Sequence, residues 1–389
     1  MKKLKLVDYY IFIPYIVLSL IGIVMVYSAS TNVALTTGTT PSMYLIKQAA
    51  YVVIGLGLAI FFDLMRLSVL RRMRLVGWAT IIMALLLVAV LVIGSRVNGA
   101  KGWINFGPVN IQPEEFLKLY IILFLAHYMD SHKQGLEQHY WRTMRSPLIM
   151  FAIMTGLILI QPDTGGFAID WFIILIVIMA SGNKHNVPME IVMGFFALYI
   201  AMLSALSHID VNSSLWTKHY QLQRFVAFVD PFGTIKTVGR QLVNSYYAIS
   251  NGGLLGKGLG NSIQKMGYLP EPNTDFILAV TSEELGALAV LGILFLLGMI
   301  AYRAVRLGNR AETMYESLVC YGIAALITIQ SLFNVGGVVG ALPITGVTLP
   351  FVSYGGSSML MLSMCMGILM NISARQKRLR LSDHQRDDQ

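Results

Sequence analysis

Apolar residues run through this chain in blocks too long for the interior of a soluble domain. Residues 9–28 and 75–94 are each twenty positions without a charge, enough at about 1.5 Å per residue to cross about 30 Å of hydrocarbon. Similar blocks cover residues 45–62, 115–129, 147–161, 165–181, 188–206, 276–302, 316–340 and 353–372. The pattern predicts an all-α integral membrane protein, a polytopic bundle of about ten transmembrane helices. Because Lys47, Lys118 and Asp170 interrupt three of the blocks, the count needs a second line of argument.

The placement of Lys and Arg supplies it. With residues 1–6 on the cytoplasmic side, most of the 29 basic residues fall in the inner connections and the C-terminal tail, as the positive-inside rule requires. Both termini are therefore expected in the cytoplasm, and the longest polar connection, residues 207–274, is expected outside the cell between helices 7 and 8. Lys2, Lys3 and Lys5 resemble the start of a signal peptide, but the apolar run behind them exceeds the usual stretch of roughly 7 to 15 residues. The first helix is read as uncleaved. Residues 1–373 then form the membrane domain, and residues 374–389 a charged, disordered tail that pairs with anionic lipid headgroups.

Composition agrees: 56% of the residues are hydrophobic and 13% charged, with a mean hydropathy of +0.65. The net charge of +9 is spread over separate connections rather than gathered on one face, so no nucleic-acid partner is expected. Cys320 and Cys365 fall inside predicted helices and suit packing rather than a disulfide or a metal cage.

The candidate chemistry centres on LPEPNTDF, residues 269–276, where Asp275 stands at the outer edge of an apolar block. A lone carboxylate at that depth is costly unless something uses it, and burial would raise its pKa from about 3.9 toward that of a useful base. Nearby in sequence are the carboxylates Glu271, Glu283 and Glu284, the cations Arg224, Arg240, Lys257 and Lys265, and the rings of Tyr246, Tyr247 and Tyr268. These are the groups an anionic, lipid-linked sugar would need, although any one cation also suits a solvated loop. Residues 224–228 and 241–249 read as interfacial helices that either approach a substrate or cap the bundle.

Four more segments add to the constellation. In QPEEFLK, residues 112–118, Pro113 can open a helix, and Lys118 lies four residues past Glu114 and three past Glu115. That spacing supports either a neutralised pair or a lined polar cavity. In QPDTGG, residues 161–166, Asp163 is a possible N-cap. Residues 342–358 mix Pro, Gly and hydroxyls and read as a re-entrant or cavity-lining loop. The glycine run 251–260 allows close backbone approach to a ligand. It fails the phosphate-loop pattern, since Asn251 replaces the first glycine and Gly258 follows Lys257.

Taken in order, GAKGWI, QPEEFLK, QPDTGG, RFVAFVDP, GRQLVNSYYAISNGGLLGKGLGNSIQK, LPEPNTDF, EELG and TGVTLPFVSYGGSS resemble the SEDS (shape, elongation, division and sporulation) proteins. They are closer to the FtsW division type than to the elongation paralogue RodA. The resemblance implies a peptidoglycan glycosyltransferase that polymerises lipid II at the outer leaflet, expels undecaprenyl pyrophosphate with inversion, and works at the septum with a class B penicillin-binding protein and other division proteins. It assigns Asp275 as the base and Trp103, Glu115, Lys118 and Asp163 as cavity residues, with Glu283 and Glu284 as further members. Arg224 and Lys265 are the cations expected near the substrate.

The chain departs from the family pattern at Gly102, Glu114 and Asn273, and Asp170 has no counterpart in it. No cofactor is identified and no compact metal-ligand cluster is visible in the sequence, which leaves the part of a divalent cation open. A lipid II flippase or transporter, a RodA-like polymerase and a scaffold for another synthase are the competing readings.

Overall fold

The computed structural model describes residues 6–97, 100–107, 109–182, 193–194, 197 and 220–387. Its helices in chain order are α1 (Tyr9–Ala29), α2 (Thr31–Thr36), α3 (Pro41–Leu64), α4 (Leu67–Leu70), α5 (Met73–Ile93), α6 (Pro113–Ser131), α7 (Lys133–Gln138), α8 (Tyr140–Ile160), α9 (Thr164–Ala180), α10 (Tyr220–Val229), α11 (Arg240–Gly252), α12 (Ile277–Gly308), α13 (Met314–Val338) and α14 (Gly356–Asp387). Nine of the ten expected spans coincide with α1, α3, α5, α6, α8, α9, α12, α13 and α14. The tenth, residues 188–206, lies outside the described residues except for 193, 194 and 197. Seven of these helices are long and apolar enough to cross a membrane. Of the other two, α9 has only 17 residues, and α6 carries Glu114, Glu115, Lys118 and Asp130.

The helices begin where local chemistry stops the preceding coil. Asp8 accepts a hydrogen bond from the Tyr10 N–H at the start of α1, Thr313 does the same for Glu316 in α13, and Pro41 and Pro113 occupy first turns. Burial then sorts the bundle. The apolar windows of α13 and α14 are 67% and 83% buried, against 22% for α3 and α5, so α13 and α14 form the core and α3 and α5 present apolar faces outward.

Two local departures from plain helices matter. Residues 95–111 hold a three-stranded antiparallel sheet, β1 (Ser95–Val97), β2 (Ala100–Phe106) and β3 (Val109–Ile111), where the sequence pattern gave only a connection. Lys101 on β2 donates to the carbonyls of Leu91 and Val92 at the C-terminal end of α5. That contact gives the cation partners among the terminal carbonyls of a helix.

The second departure is in α12, whose helical path breaks at Gly286 (φ 83°, ψ 173°). The break leaves backbone groups without helical partners, and inside a membrane protein these must be satisfied from elsewhere. The glycine run does this. The N–H groups of Lys257 and Gly258 donate to the Glu283 and Glu284 carbonyls at 2.9 Å, and Ala287 N–H donates to the Gly253 carbonyl at 2.9 Å. A Cβ at position 256 would sit 2.2 Å from the Glu284 oxygen, so glycine is required. The close approach expected of this segment is therefore to the protein's own broken helix.

The tail also differs from expectation. Instead of a disordered end, α14 continues as helix to Asp387. Arg375 pairs with Glu316, Gln376 donates to the Leu307 carbonyl at 3.0 Å, and Lys377 donates to the Val7 carbonyl at 2.8 Å. Polar side chains thereby fasten the helix to its neighbours beyond the apolar stretch.

Candidate active site

Asp275 lies two residues before α12, and its backbone is held from two sides. Asn334, a buried amide in α13, donates to both the Asp275 and Val347 carbonyls at 2.8 Å. The Ser353 hydroxyl donates to the Thr274 carbonyl at 2.6 Å, and Tyr354 N–H donates to Asn273 O at 2.8 Å. The segment before α12 is thus sewn to the loop between α13 and α14. The half-buried carboxylate faces a cavity of about 920 Å³ of empty space, partly open to solvent.

That cavity collects most of the residues singled out from the sequence. Trp103 comes from β2, Glu115 and Lys118 from α6, Asp163 from the cap of α9 and Arg224 from α10, with Asp275 opposite. Lys118 lies 3.1 Å from Glu114 and 2.8 Å from Glu115, so the spacing produces a buried ion triplet and a cavity wall at once. Asp163 accepts from the Gly166 N–H at 2.9 Å and from the Gln112 amide at 3.3 Å, acting as N-cap and cavity residue together. Gly166 has to be small, because a Cβ there would fall 2.4 Å from Glu114 Oε1.

Arg224 and Asp275 converge above Gly346. A Cβ on Gly346 would stand 3.1 Å from Arg224 Nη2 and 3.4 Å from Asp275 Oδ2, and Arg224 is braced by donating to the Thr345 carbonyl at 2.8 Å. Burial, the largest influence, pushes the Asp275 carboxyl up; Arg224 pulls it down, and the like charges of Glu271 and Asp163 raise it again. The result is about 7. A carboxyl in that range is about half ionised at neutral pH, and its ionised form is basic enough to accept a proton from a hydroxyl in a transition state.

Lys265, Glu283 and Glu284 are placed elsewhere. They do not line this cavity but form a second buried cluster at the break in α12. Lys265 lies 2.6 Å from Glu284, and Ser28 donates to Glu284 at 2.8 Å. Glu283 accepts from the Ser262 hydroxyl at 2.5 Å, from Gln264 N–H at 3.2 Å and from the Asn251 amide at 3.3 Å. Arg240 donates to the Gly267 carbonyl, and Asn244 and Ser245 of α11 bond to carbonyls of Tyr268 and Val338. Of the two interfacial pieces, α10 brings a cation to the cavity and α11 fastens the loop to the bundle.

Several further cavity residues lie within the quoted motifs without being singled out by them. Gln112, Thr345, Thr348, Tyr354 and Ser358 line it, and the last four fall in the loop expected to line a cavity. Asn334 had one available signal, an amide in the middle of an apolar block. Asp170 on α9 is fully buried, with neither carboxylate oxygen hydrogen-bonded, and it lies within electrostatic reach of Lys118. Among the described residues no group of three or more His, Cys, Asp or Glu is arranged to hold a metal ion.

Comparison with known proteins identifies relatives over nearly the whole chain. The family described as cell cycle proteins of the FtsW, RodA and SpoVE type matches residues 8–378. A probable peptidoglycan glycosyltransferase FtsW of Bacillus subtilis is 39% identical over 375 residues, covering 96% of this chain and 92% of the relative. Its namesake in Lactococcus lactis is 35% identical over 407 residues, covering 98% and 96%. Among solved structures, a chain from work on the coordination of polymerization and crosslinking by a peptidoglycan synthase complex superposes with a TM-score of 0.75 at 26% identity, covering 95% of this chain and 98% of that one. The rod shape determining protein RodA of Thermus thermophilus gives 0.63 at 25% identity, covering 94% and 96%. With a family model spanning residues 8–378 and a relative 39% identical over 96% of this chain, the chain belongs to the FtsW, RodA and SpoVE family of cell cycle proteins.

Proposed function

We propose that this multi-pass membrane protein is a peptidoglycan glycosyltransferase that polymerises lipid II during cell division, with Asp275 as general base. The observation that carries the reading is the convergence of Asp275 and Arg224 on one partly open cavity, with the carboxyl raised to about 7. In the proposed step, the 4-hydroxyl of one lipid II attacks the anomeric carbon of a growing chain. Asp275 takes the hydroxyl proton, the new glycosidic bond forms with inversion, and the bond to undecaprenyl pyrophosphate breaks with both electrons leaving on the phosphate oxygen. Arg224 meets the negative charge of the leaving group, while Lys118, held by two glutamates, orders the opposite wall. The step as written requires no cofactor, and whether a divalent cation assists at the pyrophosphate belongs to the same experiment.

The name of the Bacillus subtilis relative supports the reaction class, and the likeness to a chain of a peptidoglycan synthase complex supports a crosslinking partner of the class B penicillin-binding type. The distribution of basic residues supports cytoplasmic termini and a cavity open to the outer leaflet. A septal location follows from the division-type motifs. In this reading Lys265, Glu283 and Glu284 hold the broken helix that carries Asp275, rather than touching substrate.

The test is polymerisation of purified lipid II in detergent, where translocation has no meaning. The wild-type protein is expected to make glycan strands, and Asp275→Asn to bind lipid II without joining it. Undiminished polymer from Asp275→Asn removes the mechanism, and polymer that forms only when a second polymerase is added removes the activity. Adding or chelating magnesium in the same assay tests the cation.

A further inference from the structure

At the end of the bundle away from the active-site cavity lies a second pocket, of about 1270 Å³ of empty space. Its distance from the first follows from α14. Ser358 near the start of that helix lines the candidate active site, and Arg378, twenty residues later, lines the second pocket. Twenty residues of helix span about 30 Å, the thickness of the hydrocarbon layer. The second pocket therefore sits at the opposite headgroup level.

Its lining divides into two chemistries. Arg66, Arg375 and Arg378 supply guanidinium groups, and Leu64, Leu67 and Met370 supply an apolar wall. Asp63 also lines it and is itself engaged in a polar interaction. Arg375 is committed to Glu316, whereas neither Arg66 nor Arg378 makes a hydrogen bond or ion pair among the described residues. The frame is built rather than incidental. Asn371 of α14 donates to the carbonyls of Phe62 and Met65, tying the end of α3 across the pocket, and Lys377 donates to Leu6 and Val7.

We propose that this pocket binds the headgroup phosphate of an anionic phospholipid. Guanidinium groups form paired, charge-assisted hydrogen bonds to phosphate oxygens, and basic pockets between transmembrane helices at the headgroup level suit such lipids. Arginines alone would serve free phosphate equally well. The apolar wall, together with Leu64 standing 59% exposed on the outward face of α3, provides for acyl chains and selects a lipid. The proposal does not depend on the catalytic reading, because no active-site residue takes part.

Native mass spectrometry of the purified full chain, given phosphatidylglycerol, phosphatidylcholine or inorganic phosphate, tests it. One phosphatidylglycerol is expected to stay bound where phosphatidylcholine does not, and millimolar phosphate should not displace it. The Arg66→Gln/Arg378→Gln variant should bind that lipid about tenfold or more weakly, the loss of one to two charge-assisted bonds, while still polymerising lipid II. Equal retention of both lipids, displacement by phosphate or unchanged binding by the variant would each overturn the proposal. A photoactivatable phosphatidylglycerol on the wild-type protein gives an answer that needs no variant: crosslinks in residues 63–68 and 370–378 support the site, and crosslinks confined to other segments refute it.

Discussion

Two buried charge clusters lie in this protein, built from the same residue types and used differently. At the break in α12, all four carboxylate oxygens of Glu283 and Glu284 have partners, and Lys265 bonds both Glu284 and Ser28. Beside the candidate active site, Glu115 keeps one oxygen without a hydrogen bond and Asp170 keeps both, while the neighbouring groups look onto open space. Buried polar groups in a purely structural role are normally saturated. The cluster at the break is closed on itself, whereas the one beside the cavity keeps hydrogen-bonding capacity unspent.

The strongest way to break this comparison is Asp275→Asn. Loss of a general base predicts a fall in lipid II polymerisation of about 10²- to 10⁴-fold, read from glycan strands on a gel, with the protein still folded. Next is Lys265→Met, which leaves a carboxylate buried without its cation and should lower stability by about 3–5 kcal/mol, measured as a drop in thermal midpoint. Turnover per folded molecule should change little. A collapse of turnover at unchanged midpoint would move this cluster into the chemistry.

Arg224→Gln sharpens the contrast from the cavity side. Losing one group that stabilises developing charge predicts a fall of about 10²-fold. Because Arg224 also holds the Asp275 carboxyl down, the acid limb of the pH–rate profile should move to higher pH, a shift that simple loss of packing would not cause. In the wild type, activity should reach about half its maximum near pH 7 and level off above about pH 8, since only the ionised carboxylate accepts the proton.

The smallest effect expected is on stability. A carboxyl whose folded pKa lies above its unfolded value stabilises the fold fully below about pH 4, and that contribution is lost as pH rises through about 7. Asp275→Asn cannot ionise. It should therefore melt a few degrees above wild type at pH 8, by roughly 2–4 °C, and level with it at pH 4.

What could be read from the sequence was what local rules govern. Hydropathy located the spans, the spacing of Glu114, Glu115 and Lys118 located an ion triplet on one helix face, and Asp163 before Thr164 located a cap. What escaped depends on partners distant in sequence. Gly286 looks like any glycine in an apolar block until residues 253–258 supply the broken helix with hydrogen bonds. Arg224 and Lys265 are alike as loop cations, and only the fold sends one to the cavity and the other to a carboxylate. The sheet at residues 95–111 was hidden because strands of three and seven residues carry too little pattern.

The interruption at Gly286 also has a mechanical meaning. Two struts leave the neighbourhood of Asp275: α14, which is continuous, and α12, which has a joint ten residues into its course. Force applied at the far end of α14 would reach Ser358 with little loss, whereas a tilt of the part of α12 beyond Gly286 meets the joint before it reaches the carboxylate. The protein can thus lean on neighbours along one rod while keeping the Asp275 carboxylate still.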